Sequence, residues 1–349
     1  MSMPLTTIEA ATTNTISPPK SRLAAHAQIM RADHWVKNVF VLPGVAIALS
    51  MAPKLATRQT CLNVIIGIVA TCLVSSSNYV INEILDAPFD RLHPTKSGRA
   101  AACGRIVPAL GYAQWLVLMV AGVGIALIVS KMLAISLLAL WVMGCVYNIR
   151  PLRSKDVPYV DVLSEAINNP LRMLAGWYMV NPPGMSPPAS LLISYWMVGA
   201  YFMAIKRYAE YRQIGDPQRA AQYRKSFAFY SEQRLLVSIM FYASAAMLFL
   251  GAFIMRYRLE LILAVPLVAW VMAVYLQLGF KPDSAVQSPE KLHREPLLMV
   301  SVCSCALLMG ILFFVRVPIL YHIFAPTAPT APSTAGPPSG GEPSRNLVP

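Results

Sequence analysis

Charge is scarce in this chain: Asp, Glu, Lys and Arg make up 13% of 349 residues while 56% are hydrophobic, roughly half the charged share of a soluble domain. That balance excludes an ordinary globular fold in water and makes membrane the first class to test. The six cysteines, at 61, 72, 103, 145, 303 and 305, fall mostly inside apolar runs. They have neither disulfide nor metal-cluster spacing, so they read as small core residues. His93 and His293 have no partners at ligand spacing and are not assigned to metal. No apolar run precedes residue 38, so a cleaved signal peptide is not expected and the first span is the uncleaved anchor. An internal repeat and an internal linker are missing as well.

What is abundant is the long apolar run. A hydrocarbon core of roughly 30 Å takes about 20 apolar residues to cross as a helix. Such runs occur at about 39–53, 61–82, 108–130, 132–148, 160–180, 189–205, 235–255, 259–279 and 298–320. The expectation is an all-α, polytopic membrane helical bundle of about nine transmembrane helices. The first run is short and holds Pro43, and the fifth carries Asp161, Glu165 and Arg172. Residues 1–20, rich in Ser, Thr and Pro, and 323–349, a Pro/Gly/Ser tract, are expected to be disordered tails around one catalytic domain at 21–322.

Net charge is +13, and its placement orients the chain, because positive loops stay cytoplasmic. With the N-terminus inside, the loops 83–107, 149–159, 206–234 and 281–297 hold most of the Lys and Arg. The opposite segments carry Lys54, Arg58, Lys131, Arg256, Arg258 and, on the tail, Arg345. The reading is a multi-pass protein of a bacterial inner membrane, N-terminus and site cytoplasmic, C-terminus outside.

The acidic residues share that inner side, all but Glu260 and Glu342. After the second run the chain reads NYVINEILDAPFDRLHPTKSGR, in which Asn82, Asp86 and Asp90 recur every four residues beside Glu83. A helix stacks such positions on one face. Carboxylates in one stripe repel unless something positive lies among them. A hard cation such as Mg2+, bound through oxygen with a substrate phosphate completing its shell, answers that need; a solvated helix end is the plainer alternative. Asp161 and Glu165 form a second i, i+4 pair, with Arg172 two turns on. Ionisable groups within a span are functional candidates by default, although an internal ion pair with Arg172 also accounts for them. Lys96, Arg99, Arg105, Arg150, Arg153 and Lys155 flank both sites. A third inner segment, AIKRYAEYRQIGDPQRAAQYRKSF, adds Lys206, Arg207, Arg224 and Lys225, cations suited to phosphate or to a plain positive-inside loop. Its Tyr208, Tyr211 and Tyr223 read as interfacial anchors.

With these residues on view, the chain resembles the UbiA superfamily of intramembrane prenyltransferases over about residues 28–300. Its first motif, N-D-x-x-D-x-x-x-D, aligns with Asn82, Glu83, Asp86 and Asp90, and its second with Asp161 and Glu165. RADHWVKNVFVLPG, DRLHPTKSGR, KRYAEY and YRKSF, in that order, are similar to the decaprenyl-phosphate phosphoribosyltransferase branch. Three departures stand out: Glu83 replaces the usual Asp, RAAACG (99–104) lacks the usual proline, and NNPLR (168–172) replaces a more apolar stretch.

The resemblance implies a nine-helix enzyme that transfers a 5-phosphoribosyl group from phosphoribosyl pyrophosphate to a polyprenyl phosphate lipid, with Mg2+, releasing pyrophosphate. Asn82, Glu83, Asp86, Asp90 and Asp161 are then the expected metal ligands, and Asp86, Asp90, Asp161 and Glu165 the catalytic set. Lys37, Asn38, Lys96, Arg99, Tyr147, Arg153, Lys155, Arg172, Lys206, Arg207, Arg224 and Lys225 are the expected substrate contacts. No nucleic acid is expected, and self-association is left open. The rival readings are an aromatic prenyltransferase of the same superfamily, which shares the metal motifs, and a transporter or lipid-binding scaffold, which would want charges at the bilayer midplane and repeated halves.

Overall fold

The computed structural model describes residues 21–91, 96–282, 284–287 and 289–324, all helix, turn or loop with no strand among them. Of the expected tails, 1–20 and 323–349, all but residues 323 and 324 lie outside the described residues, as does His93.

The chain opens with α1 (Arg22–Ile29), a tight 3-10 stretch over Ala32–Val41, and α2 (Leu42–Met51). Pro43 falls in the first turn of α2, where its missing N–H has no helical partner to lose, so the helix starts there and does not break. The longest helix, α3 (Arg58–Asp90), is capped by Thr57, whose hydroxyl accepts from the Thr60 N–H at 3.2 Å. After α4 (Pro108–Val129), Ser130 caps α5 (Lys131–Asn148) in the same manner. The fifth expected run is two short helices, α6 (Val160–Ala166) and α7 (Asn168–Val180), meeting at Ile167. Pro170 explains the break: it has no N–H for the Ala166 carbonyl, and its ring opposes a continuous helix. Then come α8 (Ala189–Ile214), ended by Gly215 at φ +70, α9 (Pro217–Tyr223), α10 (Glu232–Tyr257), α11 (Val265–Gly279) and α12 (Pro296–Leu312). The described residues 317–324 belong to a separate unit, in which α13 spans Pro318–Ile323.

Seven helical stretches among the described residues are long and apolar enough to cross a membrane: 22–51, 58–90, 108–129, 131–148, 189–214, 232–257 and 259–279. The shorter α12 is apolar as well. The expected ninth run stops at Leu312 and does not reach 320, and the fifth is too short in either half to cross alone. Length and composition therefore establish an all-helical, multi-pass membrane bundle, but not the count of nine.

The main pairings are α8 with α10, α3 with α4, and α2 with α7. At the last crossing the backbones meet: a Cβ on Gly44 would strike the Met173 carbonyl, and one on Gly176 the Val41 carbonyl. Small residues permit such contact between helices in lipid. A core of Tyr201, Tyr208, Phe227, Tyr230 and Leu235 locks α8 to α10 and to the segment between α9 and α10.

Candidate functional site

At one end of the bundle, the C-terminal halves of α3, α5 and α8 converge with the end of α6, the first turns of α7, the 153–156 turn and the 221–225 segment. They enclose a cavity of about 510 Å3. The stripe on α3 behaves as its spacing predicts, since Asn82, Asp86 and Asp90 all line it. Glu83, one residue and about 100° further round, does not; it is buried against the Ala101 backbone.

Each lining carboxylate meets cations. Lys155 Nζ donates to Asp86 Oδ1 at 2.5 Å and to the Asn148 amide oxygen at 2.9 Å, while Arg153 reaches Asp86 at 3.4 Å and Asp156 at 3.1 Å. Arg99 pairs with Asp90 at 2.8 Å. Burial pushes the Lys155 ammonium below the ordinary lysine range, with Asp86 opposing the shift. The Lys155 backbone follows Arg153, which sits at φ 26, a costly conformation for a side-chain-bearing residue. That strained turn aims both cations at Asp86.

Across the cavity Arg207 is a hub. It donates to Asp161 at 3.2 Å, to Glu165 at 2.9 Å and to Glu210 at 3.0 Å. Tyr147 donates to Glu165 at 2.9 Å, and Arg224 donates to the Tyr147 oxygen at 2.9 Å. Asp161 is fully buried and does not line the cavity. Its oxygens accept from Tyr230 at 2.6 Å, Arg207 at 3.2 Å and Ser226 at 3.3 Å, so it ties the 224–230 segment to α6 and α8. Burial, then the Asp161 charge, push the Tyr230 phenol up, which keeps it a proton donor.

Of the expected contacts, Lys96, Arg99, Tyr147, Arg153, Lys155, Arg172, Lys206, Arg207, Arg224 and Lys225 line the cavity, together with Glu165. Lys37 and Asn38 do not; Asn38 is buried and accepts from Arg172 at 3.0 Å. Sequence reasoning missed Asn78, Tyr79, Asn148, Asp156, Asn168 and Glu210. Neutral amides carry no charge signal, although Asn148 at the polar end of an apolar run was a usable hint. Tyr223, read as an interfacial anchor, lines the cavity and accepts from Lys96 at 3.0 Å, and Tyr208 is buried in the core.

Among the described residues no cluster of three or more His, Cys, Asp or Glu could hold a metal by itself. The α3 stripe does suit a hard divalent cation that takes the rest of its shell from a phosphate: two carboxylates and an amide oxygen face the same space.

Comparison with known proteins adds the lineage. The chain is 29% identical over 224 residues to the decaprenyl-phosphate phosphoribosyltransferase of Corynebacterium glutamicum, covering 61% of this chain and 62% of that one, less than two thirds of its length. It is 30% identical over 219 residues to the protein of that name in Mycobacterium tuberculosis, covering 62% and 70%. In fold it is similar to a UbiA homolog from Archaeoglobus fulgidus, solved bound to DMAPP and Mg2+, with a TM-score of 0.63 at 18% identity over 83% of this chain and 99% of that one. Residues 38–291, which carry both acidic motifs and the whole cavity wall, match the family profile, and the chain belongs to the UbiA prenyltransferase family.

Proposed function

We propose that the protein is a membrane transferase that moves a 5-phosphoribosyl group from phosphoribosyl pyrophosphate to a polyprenyl phosphate of the decaprenyl-phosphate kind, at the cytoplasmic face, with Mg2+. The observation that carries this reading is the cavity wall itself, where Lys and Arg outnumber carboxylates. A diphosphate, a sugar 5-phosphate and a lipid phosphate bring more negative charge than a prenyl diphosphate with a neutral ring. The names of the corynebacterial and mycobacterial relatives support the same donor and acceptor.

In this reading a lipid phosphate oxygen attacks C1 of the ribose, the C1–O bond to pyrophosphate breaks, and its electron pair leaves with the pyrophosphate. The attacking phosphate is already ionised at neutral pH, so no general base is needed. Catalysis consists of positioning and of stabilising the leaving group. Asn82, Asp86 and Asp90 would hold Mg2+, which would supply positive charge to offset that developing on the pyrophosphate. Arg99, Arg153 and Lys155 stand beside those carboxylates, ready to exchange part of their ion pairs for phosphate oxygens. Glu165, held by Tyr147 and Arg207, faces the cavity as an acceptor for ribose hydroxyls. Asp161, out of reach of the cavity, acts through Arg207 and the 224–230 segment.

The test is pyrophosphate release from purified protein in lipid vesicles, with each substrate omitted in turn. Release should require both phosphoribosyl pyrophosphate and polyprenyl phosphate. Release from a prenyl diphosphate plus an aromatic acid, and none from the proposed pair, would make the aromatic prenyltransferase reading the better one.

A further inference from the structure

Every arginine on the cavity wall except one has a carboxylate within 4 Å: Arg99, Arg153, Arg207 and Arg224 pair at 2.8, 3.1, 2.9 and 3.7 Å. Arg172 is the exception among the described residues. Its Nε donates to the Asn38 amide oxygen at 3.0 Å and its Nη1 to the Asn168 carbonyl at 3.5 Å, both neutral acceptors. A cation inside a membrane protein without an opposite charge is costly, and it persists where the site needs it for something else.

The surroundings are built for an anion. The Asn38 oxygen also accepts from Ser75 at 3.1 Å, and its amide nitrogen donates to Cys72 at 3.2 Å, so the amide whose oxygen holds Nε is itself fixed by α3. Nη2 makes no hydrogen bond among the described residues, and Arg172 lines the cavity. Tyr79, within reach of the Arg172 charge, lines the same wall and makes no hydrogen bond among the described residues. The Asn168 side chain lines it too, and its amide N–H groups are the donors it can offer an anion. Ser75 and Tyr79 lie eleven and seven residues before Asp86 on α3, about 16 and 10 Å along the axis at 1.5 Å per residue. An anion at Arg172 is therefore a different group from one bound beside Asp86.

We propose that Arg172, braced by Asn38 and flanked by Tyr79 and Asn168, forms a second anion subsite that takes a phosphate monoester. The inference rests on the phosphate-handling function proposed above. Two sources share this chemistry, the 5-phosphate of a sugar donor and the headgroup of a polyprenyl phosphate, and both offer a doubly charged group that matches a planar guanidinium fork.

The experiment compares full-length wild type with Arg172→Met and Arg172→Lys in detergent, by thermal unfolding and by titration with ribose 5-phosphate and with farnesyl phosphate. The subsite predicts that Arg172→Met without ligand melts no lower than wild type, because an unpaired charge has been removed. It also predicts that Arg172→Met binds one of the two ligands at least tenfold more weakly, with partial recovery in Arg172→Lys. Loss confined to ribose 5-phosphate assigns the subsite to the sugar, and loss confined to farnesyl phosphate assigns it to the lipid. Unchanged affinity for both, no binding of either by wild type, or an Arg172→Met protein that melts lower while binding normally overturns the proposal and makes Arg172 a structural brace. A transfer assay on wild type separates the two readings: absent transfer with Arg172-dependent binding sinks the proposed reaction alone, and normal transfer with Arg172-independent binding sinks the subsite alone.

Discussion

Lys206 and Arg207 are neighbours in the chain and look interchangeable as phosphate contacts, yet the fold gives them opposite tasks. Both line the cavity, but a step of about 100° around α8 ties Arg207 to three carboxylates, while Lys206 makes no hydrogen bond or ion pair among the described residues. Lys206→Ala should raise KM for phosphoribosyl pyrophosphate about ten- to a hundredfold, the equivalent of losing one charge-assisted contact of about 1.5–3 kcal/mol. Its melting temperature should hold. Arg207→Ala should instead unfold more easily, by about 3–5 kcal/mol, because it takes the nearer of two cations from fully buried Asp161 and the partner of Glu165 and Glu210 as well. Thermal unfolding beside steady-state kinetics separates the two effects; equal KM effects at equal stability would contradict the division of labour. Residue type was legible in the sequence at these positions, but the direction each side chain faces was not, because adjacent helix positions differ only through their neighbours in space.

At the scale of elements, the α3 stripe was the most legible feature, since a four-residue repeat of Asn82, Asp86 and Asp90 needs only helical geometry to become one face. Activity should depend on a divalent cation, and Asp86→Asn or Asp90→Asn should abolish turnover at normal expression and membrane insertion. Full activity after EDTA, or in both variants, rules the metal out. The second motif was legible only in part. Glu165 faces the cavity, but Asp161, its partner at the same spacing, is an internal anchor for the segment between α9 and α10. Nothing in a run of i, i+4 residues announces that a tyrosine 69 positions away claims one of them. Tyr230→Phe removes that hydroxyl and its bond from the Tyr159 N–H at 2.6 Å. It should cost about 1.5–3 kcal/mol of stability, as hydrogen bonds to charged groups do, while leaving the Mg2+ concentration for half-maximal activity unchanged. A shifted metal dependence would show that Asp161 reaches the ion after all.

For the whole molecule, hydropathy made the spans readable because each apolar run answers to the same solvent, and six of the seven long stretches fall on expected runs with little adjustment. The 160–180 run misled because its apolar content says nothing of Pro170, which divides it, and the wall of the cavity includes neutral amides that hydropathy and charge both overlook. Residues 1–20 and 325–349 have compositions that cannot build a core, so deleting both should leave specific activity in membranes unchanged; a collapse at normal expression would give a tail a place in the site. The central claim is that the donor group arrives on a lipid phosphate. Mass analysis of the lipid fraction, after incubation of purified protein with Mg2+, phosphoribosyl pyrophosphate and a polyprenyl phosphate, tests it most directly. The account predicts a lipid heavier by one phosphoribosyl unit, lost in Asp86→Asn, whereas an unmodified lipid beside a prenylated aromatic acid in the parallel incubation would contradict it.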